Sequence, residues 1–510
     1  MRFDGLGMTY GALAAAVERV ARGLRQIGLS RGDRVAVYLE KRFETVIALF
    51  AAAAAGCVFV PVNPLLKARQ VTHILRDCNV RVLVTSDMRL ESLRKEFSAG
   101  SDLLTAILVD EGSDLGRDAV VPVIAWDDLF SKSPGAVPTV GPVDPEGLAA
   151  LLYTSGSTGM PKGVMLSHRN LCLGAESVSG YLNNDENDRI LSVLPLSFDA
   201  GLSQLTTAFN VGACCVLLNY LLPGDVVRAC AAERITGLTG VPSLWIQLAL
   251  LDWPADVADG LRYFANTGGY MPRTTLDRLR TIFPSAKPFL MYGLTEAFRS
   301  TYLDPAEVDR RPNSIGKAIP YSEILVVRPD GSFCEPGEVG ELVHRGPLVA
   351  LGYWNDPQRT AERFRTAPGQ ANEAENPEIA VWSGDQVRMD EDGFLYFVGR
   401  ADDMIKTSGY RVSPTEVEDV LYGTGLVEEI VALGVAHPVL GQAIAVVAVA
   451  PEGKALDTAE LLEICCKELP AYMVPQCIIE CAVLPRNANG KIDRALLASN
   501  LVELFKEAGP

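Results

Sequence analysis

Leu151-Leu-Tyr-Thr-Ser-Gly-Ser-Thr-Gly-Met-Pro-Lys-Gly-Val164 is an apolar run that opens into a loop of small polar residues closed by Lys162. Apolar residues entering such a loop predict a buried strand. Gly156 and Gly159 let backbone N–H groups approach an anion closely, and Thr154, Ser155, Ser157 and Thr158 add hydroxyl donors. Lys162 supplies a full positive charge. The combination suits a polyphosphate. It is not the Gly-Lys-Ser/Thr form of phosphate loop, because Lys162 lies between Pro161 and Gly163 and has no hydroxyl beside it for magnesium. On composition alone, a solvated loop of small residues is the alternative.

The chain has 510 residues, enough for roughly three domain-sized units. Hydrophobic residues make up 48% and charged residues 21%, the balance of a soluble globular protein. A formal charge of −17 and the lack of a long basic run argue against a nucleic-acid partner. An anionic nucleotide must then be held by a few local cations and backbone donors. The eleven cysteines form no CxxC, which disfavours a disulfide framework or a zinc site and points to a reduced cytoplasmic setting. The longest apolar stretch, residues 46–62, falls short of the ~18 that suggest a membrane span. Gly56 and Pro61 interrupt it, so it reads as a buried helix passing into a strand.

Leu13, Val17, Val20, Leu24 and Ile27 recur at helical spacing before Gly28. Strands are then expected at 34–39, 58–60 and 80–85, with helices at 44–55 and 70–78. The same rhythm returns beyond the phosphate loop, with strands at 189–195, 213–218, 238–241, 263–265 and 289–292. Such alternation predicts an α/β fold of mainly parallel sheets. From about Ser322 the texture changes to hairpins, at 323–328 with 340–344 and at 385–389 with 394–398, separated by a polar loop over 366–379. A smaller α+β unit follows, with helices at 414–422 and 458–469 and strands near 430–435 and 443–450. The expected organisation is a large N-terminal region, residues 1–400, of stacked α/β sheets plus a β-rich subdomain, and a C-terminal domain, 401–510. The short charged segment 399–403 suits a hinge.

Other motifs surround the loop. Met291-Tyr-Gly-Leu-Thr-Glu296 follows an apolar strand, so Glu296 sits where α/β sheets place ligands and could bind Mg²⁺ on phosphates. Tyr292 offers a flat face to a purine. The same Thr-Glu pair could instead cap a helix. Trp382-Ser-Gly-Asp385 places a carboxylate after a tight turn, suited to ribose hydroxyls or simply to the turn. Gly399-Arg-Ala-Asp-Asp403 and Asn489-Gly-Lys491 complete the set.

These five motifs, in this order from about Thr9 to Arg494, resemble the adenylate-forming enzymes: acyl-CoA synthetases, amino-acid adenylation domains and luciferases. The resemblance implies an ATP-dependent, AMP-forming ligase that activates a carboxylic acid and passes it to a pantetheine thiol, with a small mobile C-terminal lid. It further implies that Thr154, Ser155, Gly156, Ser157, Thr158, Gly159 and Lys162 wrap the phosphates. Glu296 with Thr295 would hold Mg²⁺. Tyr292, Gly293 and the Gly268-Gly269 turn would flank adenine, Asp385 and Arg400 would bind ribose, and Asp402 would be the hinge residue. Thr154, Glu296 and Lys491 form the implied catalytic set, with Lys491 bridging the substrate carboxylate and the α-phosphate. Asn63-Pro-Leu-Leu-Lys67 and Gly409-Tyr-Arg-Val-Ser-Pro-Thr-Glu-Val417 are similar to AMP-forming acyl-CoA ligases of the exosortase-associated type.

Leu194-Pro-Leu-Ser-Phe-Asp199 marks the expected acid pocket. Phe198-Asp199 is similar to the amino-acid adenylation pattern, in which the aspartate meets a substrate ammonium. A buried carboxylate needs a cation, and three arrangements satisfy Asp199 and Arg299: a ligand ammonium on Asp199, an internal Asp199–Arg299 pair, or a second substrate carboxylate on Arg299. No carrier domain follows Lys491, so the thiol would come from CoA or a separate phosphopantetheine carrier protein. Ser383 stands where the family more often has Thr, and only eight residues precede Thr9, fewer than the family usually has.

Overall fold

The computed structural model describes residues 1–97, 102–110, 121–131, 141–154, 161–269, 271, 273–370, 377–400, 404–451, 453–485, 492 and 494–505. Successive strand side chains point to opposite faces of a sheet, and here both faces are apolar. In Arg34–Tyr38, Val35 and Val37 join one core while Ala36 and Tyr38 join another. Leu148–Thr154 does the same, sending Ala150 and Leu152 to the first core and Leu151 and Tyr153 to the second. Strands buried on both faces are what a helix-covered parallel sheet requires.

Two such sheets form the body. The first has eight strands among the described residues; Val58–Pro61, Arg34–Tyr38, Val80–Thr85, Thr105–Leu108 and Val123–Ala125 run parallel. Leu148–Thr154 lies parallel to Val58–Pro61, and Lys162–Ser167 turns back antiparallel against it. The second sheet has nine strands among the described residues; Cys214–Leu217, Arg189–Ser192, Gly237–Gly240, Tyr263–Asn266 and Lys287–Tyr292 are its parallel centre. Helices Tyr10–Gln26, Phe43–Ala54, His168–Tyr181 and Asp199–Asn210 fill the space between, where Val20, Leu49, Val178 and Leu205 share one core with Val35 of the first sheet and Ile190 of the second. Ala48, Ala51 and Ala52 are almost fully buried on the second of these helices. Outer helices such as Ala68–Asp77 and Pro223–Glu233 cover the far faces.

The expected hairpins form a five-stranded sheet, with Glu323–Val327 antiparallel to Val339–Arg345 and Ile379–Met389 antiparallel to Leu395–Arg400. The polar loop expected over 366–379 is bounded by two paired strands, one ending at Thr366 and the other beginning at Ile379, and its residues 371–376 lie outside the described residues. Phe364–Thr366 pairs with the start of Ile379–Met389, and Ala367 is buried. Polarity hid this short edge strand, since Arg365 and Thr366 face solvent. The C-terminal unit is a second five-stranded sheet carrying helices Pro414–Tyr422 and Thr458–Glu468. Its Arg494 donates to Glu418 Oε1 at 2.6 Å and to the Ala432 carbonyl at 2.9 Å, tying the segment after residue 491 to this unit. No helix is long and apolar enough to cross a membrane among the described residues.

The C-terminal unit docks on the body through a buried polar contact. Gln70 Nε2 donates to Glu416 Oε1 at 2.8 Å, while Glu416 Oε2 has no partner among the described residues. Burial, opposed by Gln70 and helped by Asp419, pushes the Glu416 carboxyl from 4.5 up to about 7. Arg69 of the body and Glu460 and Glu468 of the C-terminal unit face the same cleft, and Tyr472 lies near the carboxyl. A carboxyl raised on docking is docked best when protonated. The contribution, at most on the order of 3 kcal/mol, is therefore complete below about pH 4.5 and lost as pH rises through about 7. Fluorophores on the body and the C-terminal unit should report looser docking across that window, and Glu416→Gln should flatten the response. An unchanged pH response in Glu416→Gln would contradict the assignment.

Candidate active site

Thr154 and Lys162 face each other in register at the open end of an antiparallel pair, so the two strands hold the ends of the expected phosphate loop together. Residues 155–160, including Ser155, Gly156, Ser157, Thr158 and Gly159, lie outside the described residues. Thr154 Oγ1 is buried without a partner among the described residues. Lys162 Nζ donates to the Tyr353 hydroxyl at 2.9 Å, and that hydroxyl donates to Glu296 Oε1 at 2.7 Å. Lys162 and Glu296 are 3.6 Å apart.

Glu296 sits on the short 3-10 turn Thr295–Ala297, directly after strand Lys287–Tyr292. It is only 7% exposed. Burial pushes its carboxyl up, yet the attraction of Lys162 and Arg411 and the Tyr353 hydrogen bond win, holding it down at about 2. A buried carboxylate kept ionised by cations can serve as a cation ligand. Arg411 belongs to the C-terminal unit, so docking contributes to this field.

Asp385 is buried beside the Trp382-Ser-Gly turn, where Ser383 Oγ accepts from its backbone N–H at 3.0 Å. It stands opposite Arg400 in strand register. The Tyr292 hydroxyl donates to Asp385 Oδ2 at 2.5 Å, joining the expected adenine and ribose residues in one contact. Gly268 and Gly269 close the end of strand Tyr263–Asn266, held by Asn266 Nδ2 donating to the Gly269 carbonyl at 2.9 Å. A Cβ on Gly293 would lie 3.0 Å from the Arg299 Cα, so the absence of a side chain allows the chain to fold back there.

Phe198 and Asp199 begin helix Asp199–Asn210. Of the three arrangements open to Asp199, the internal pair is present: Arg299 Nη1 donates to Asp199 Oδ2 at 3.2 Å. Burial raises the Asp199 carboxyl, and the attraction of Arg299 opposes it. Arg299 is 3% exposed, and its Nε has no partner among the described residues. Phe298, fully buried at φ +58° and ψ −52°, sits at the centre of a strained γ-turn in which the Arg299 N–H donates to the Ala297 carbonyl at 2.6 Å. Around it the chain delivers Glu296 to Lys162 and Arg299 to Asp199.

Thr154, Asp199, Gly268, Tyr292, Arg299 and Asp385 all line one cavity of about 1220 Å³. Ser408, Gly409 and Tyr410 of the C-terminal unit close part of it. Gly409 has φ +82°, and a Cβ there would meet Val241 Cγ1 at 2.6 Å, so only glycine permits this approach. Tyr410 packs edge-on against Phe198, with ring centroids 4.9 Å apart. Lys491 and Asp402 lie outside the described residues, as does the Arg400 side chain. Sequence reading missed Tyr353 and the 408–410 loop. Gly352-Tyr-Trp354 is an aromatic doublet after a glycine, but nothing local ties it to Glu296 or Lys162.

Removing one partner of a buried ion pair strands the other charge, a loss of about 3–5 kcal/mol. Arg299→Leu should lower stability to urea by about that amount, and adding Asp199→Asn should restore much of it. A cost no larger than that of a surface substitution would show that the pair is not sealed from water.

Comparison with known proteins identifies the family. The AMP-binding enzyme family model matches residues 1–354, and the AMP-binding enzyme C-terminal domain matches residues 416–491. A feruloyl-CoA synthase of Amycolatopsis sp is 32% identical over 96% of this chain and 94% of its own. An L-proline–[L-prolyl-carrier protein] ligase of Pseudomonas fluorescens is also 32% identical, with the same coverage of both chains. The structure of o-succinylbenzoate CoA synthetase from Bacillus subtilis superposes with a TM-score of 0.83 at 27% identity, covering 97% of this chain and 94% of that one. The chain thus belongs to the AMP-binding enzyme family and is an AMP-forming acid–thiol ligase.

Proposed function

We propose that this ligase joins a carboxylic acid with an uncharged acyl group to the thiol of CoA, through an acyl-adenylate made in the cavity described above. The observation that carries the reading is the internal Asp199–Arg299 pair. Asp199 already has its countercharge, so the pocket does not call for a substrate ammonium. An α-amino acid loaded onto a carrier protein is the second reading, favoured by the Phe198-Asp199 pattern and by the similarity to the prolyl ligase.

In the first half-reaction a carboxylate oxygen attacks the α-phosphorus of ATP, forming the mixed anhydride and expelling pyrophosphate. Two anions must approach, so cations are needed. Thr154 and Lys162 would take the outer phosphates, and Asp385 with Arg400 the ribose, while Tyr292 and the Gly268-Gly269 turn flank the base. Glu296 would hold Mg²⁺ with phosphate oxygens, where the ion would neutralise developing charge. Among the described residues no group of three or more His, Cys, Asp or Glu converges, which suits an ion that draws most of its ligands from phosphate and water. Lys491 would stabilise the α-phosphate oxygens. In the second half-reaction the thiol sulfur attacks the acyl carbon and AMP leaves, with the 408–410 loop lining the cavity. Asp402 would serve as the hinge between these arrangements. Free cysteines throughout and substrates such as ATP and CoA fit a cytoplasmic location.

Acid-dependent exchange of labelled pyrophosphate into ATP, across aryl, fatty and α-amino acids, tests the substrate class. Neutral acids should support exchange, and a strict need for an α-amino group would favour the carrier-protein reading. Loss of one such stabilising donor costs about 3–4 kcal/mol, or 10²–10³ in rate. Lys491→Ala should accordingly abolish most adenylate formation while sparing thioester formation from supplied acyl-AMP. Equal loss of both half-reactions would reject the role of Lys491.

A further inference from the structure

The Tyr353 hydroxyl stands between two groups of opposite charge that have different tasks. An ammonium has only donors and a carboxylate only acceptors. The hydroxyl must therefore accept from Lys162, at 2.9 Å, and donate to Glu296, at 2.7 Å. Its single proton is committed to the carboxylate, and its lone pair to the lysine.

The ring is fixed independently of the hydroxyl. Strand Gly352–Tyr353 pairs with Lys162–Ser167, the strand that leaves the phosphate loop, with Tyr353 opposite Val164. The Tyr353 N–H donates to Thr360 Oγ1 at 3.0 Å, and the ring meets Phe364 edge-on at 5.4 Å. Lys162 Nζ also lies 4.0 Å from the ring centre. Tyr353 is 3% exposed.

Lys162 and Glu296 already form an ion pair at 3.6 Å, just beyond hydrogen-bond distance, and without the hydroxyl they would close into a direct hydrogen-bonded pair. Such a pair is hard to open where water is scarce. Yet the reading above needs both groups available at once, the lysine for a phosphate and the carboxylate for a cation. A neutral spacer gives each a hydrogen bond that an arriving ligand can replace.

Building on that reading, we propose that Tyr353 is a positioning residue whose hydroxyl keeps the Lys162–Glu296 ion pair from closing to direct hydrogen-bond contact and so holds the outer-phosphate site open. The base and ribose site, built on Tyr292 and Asp385, does not depend on it.

Tyr353→Phe keeps the ring, its strand pairing and its contact with Lys162, so the fold is retained. Calorimetric titration of wild type and variant with AMP, magnesium pyrophosphate and magnesium ATP separates the two parts of the site. The variant should bind the two polyphosphates about tenfold more weakly and AMP within about twofold of wild type, with a higher KM for ATP. Unchanged polyphosphate binding would overturn the proposal. So would an equal loss for AMP, which would mark a general structural role. Wild-type protein that binds neither AMP nor ATP would bring down the nucleotide reading itself, a result distinct from both.

Discussion

The rest of the structure depends on keeping one carboxylate ionised where there is almost no water. Burial alone would drive a proton onto Glu296, yet its carboxyl is held at about 2. The cations and the hydroxyl that prevent protonation come from distant segments: Lys162 from the strand after the phosphate loop, Tyr353 from a two-residue edge strand, and Arg411 from the C-terminal unit. The antiparallel return of Lys162–Ser167 and its pairing with Gly352–Tyr353 fix the first two partners relative to each other. The strained backbone at Phe298 then lets Glu296 and Arg299, three residues apart, serve different neighbours.

The Tyr292–Asp385 contact and the Asp199–Arg299 pair line the cavity directly. The Lys162–Tyr353–Glu296 chain adjoins it through Thr154, in register with Lys162, and Thr295, next to Glu296, which do line it. The C-terminal unit closes over them through Gly409 and Tyr410, and its docking rests partly on the Gln70–Glu416 hydrogen bond. Site chemistry and docking are therefore coupled: Arg411, brought in by docking, also acts on Glu296.

Much of the fold was legible because two-faced burial writes itself into strands as continuous apolar runs. Arg34–Tyr38, Val80–Thr85 and the stretch into Thr154 could be read this way, as could the helix Tyr10–Gln26 from its period. Phe364–Thr366 could not, since a three-residue edge strand with two exposed polar side chains looks like a loop. In the site, Glu296, Asp385 and Lys162 could be singled out from sequence because each sits in a motif with its own local chemistry. The choice among partners for Asp199 was not legible, because Arg299 is 100 residues away. Tyr353 was invisible for the same reason: its partners Glu296 and Lys162 are 57 and 191 residues distant, and strand pairing alone unites them.

The central claim is that a carboxylate oxygen of the substrate attacks the α-phosphorus of ATP inside this cavity. Turnover of an acid labelled with ¹⁸O in its carboxylate, in the presence of ATP and CoA, tests this most directly when the nucleotide products are weighed by mass spectrometry. One labelled oxygen should appear in AMP and none in pyrophosphate. Label in orthophosphate accompanied by ADP, or AMP free of label, would contradict the account.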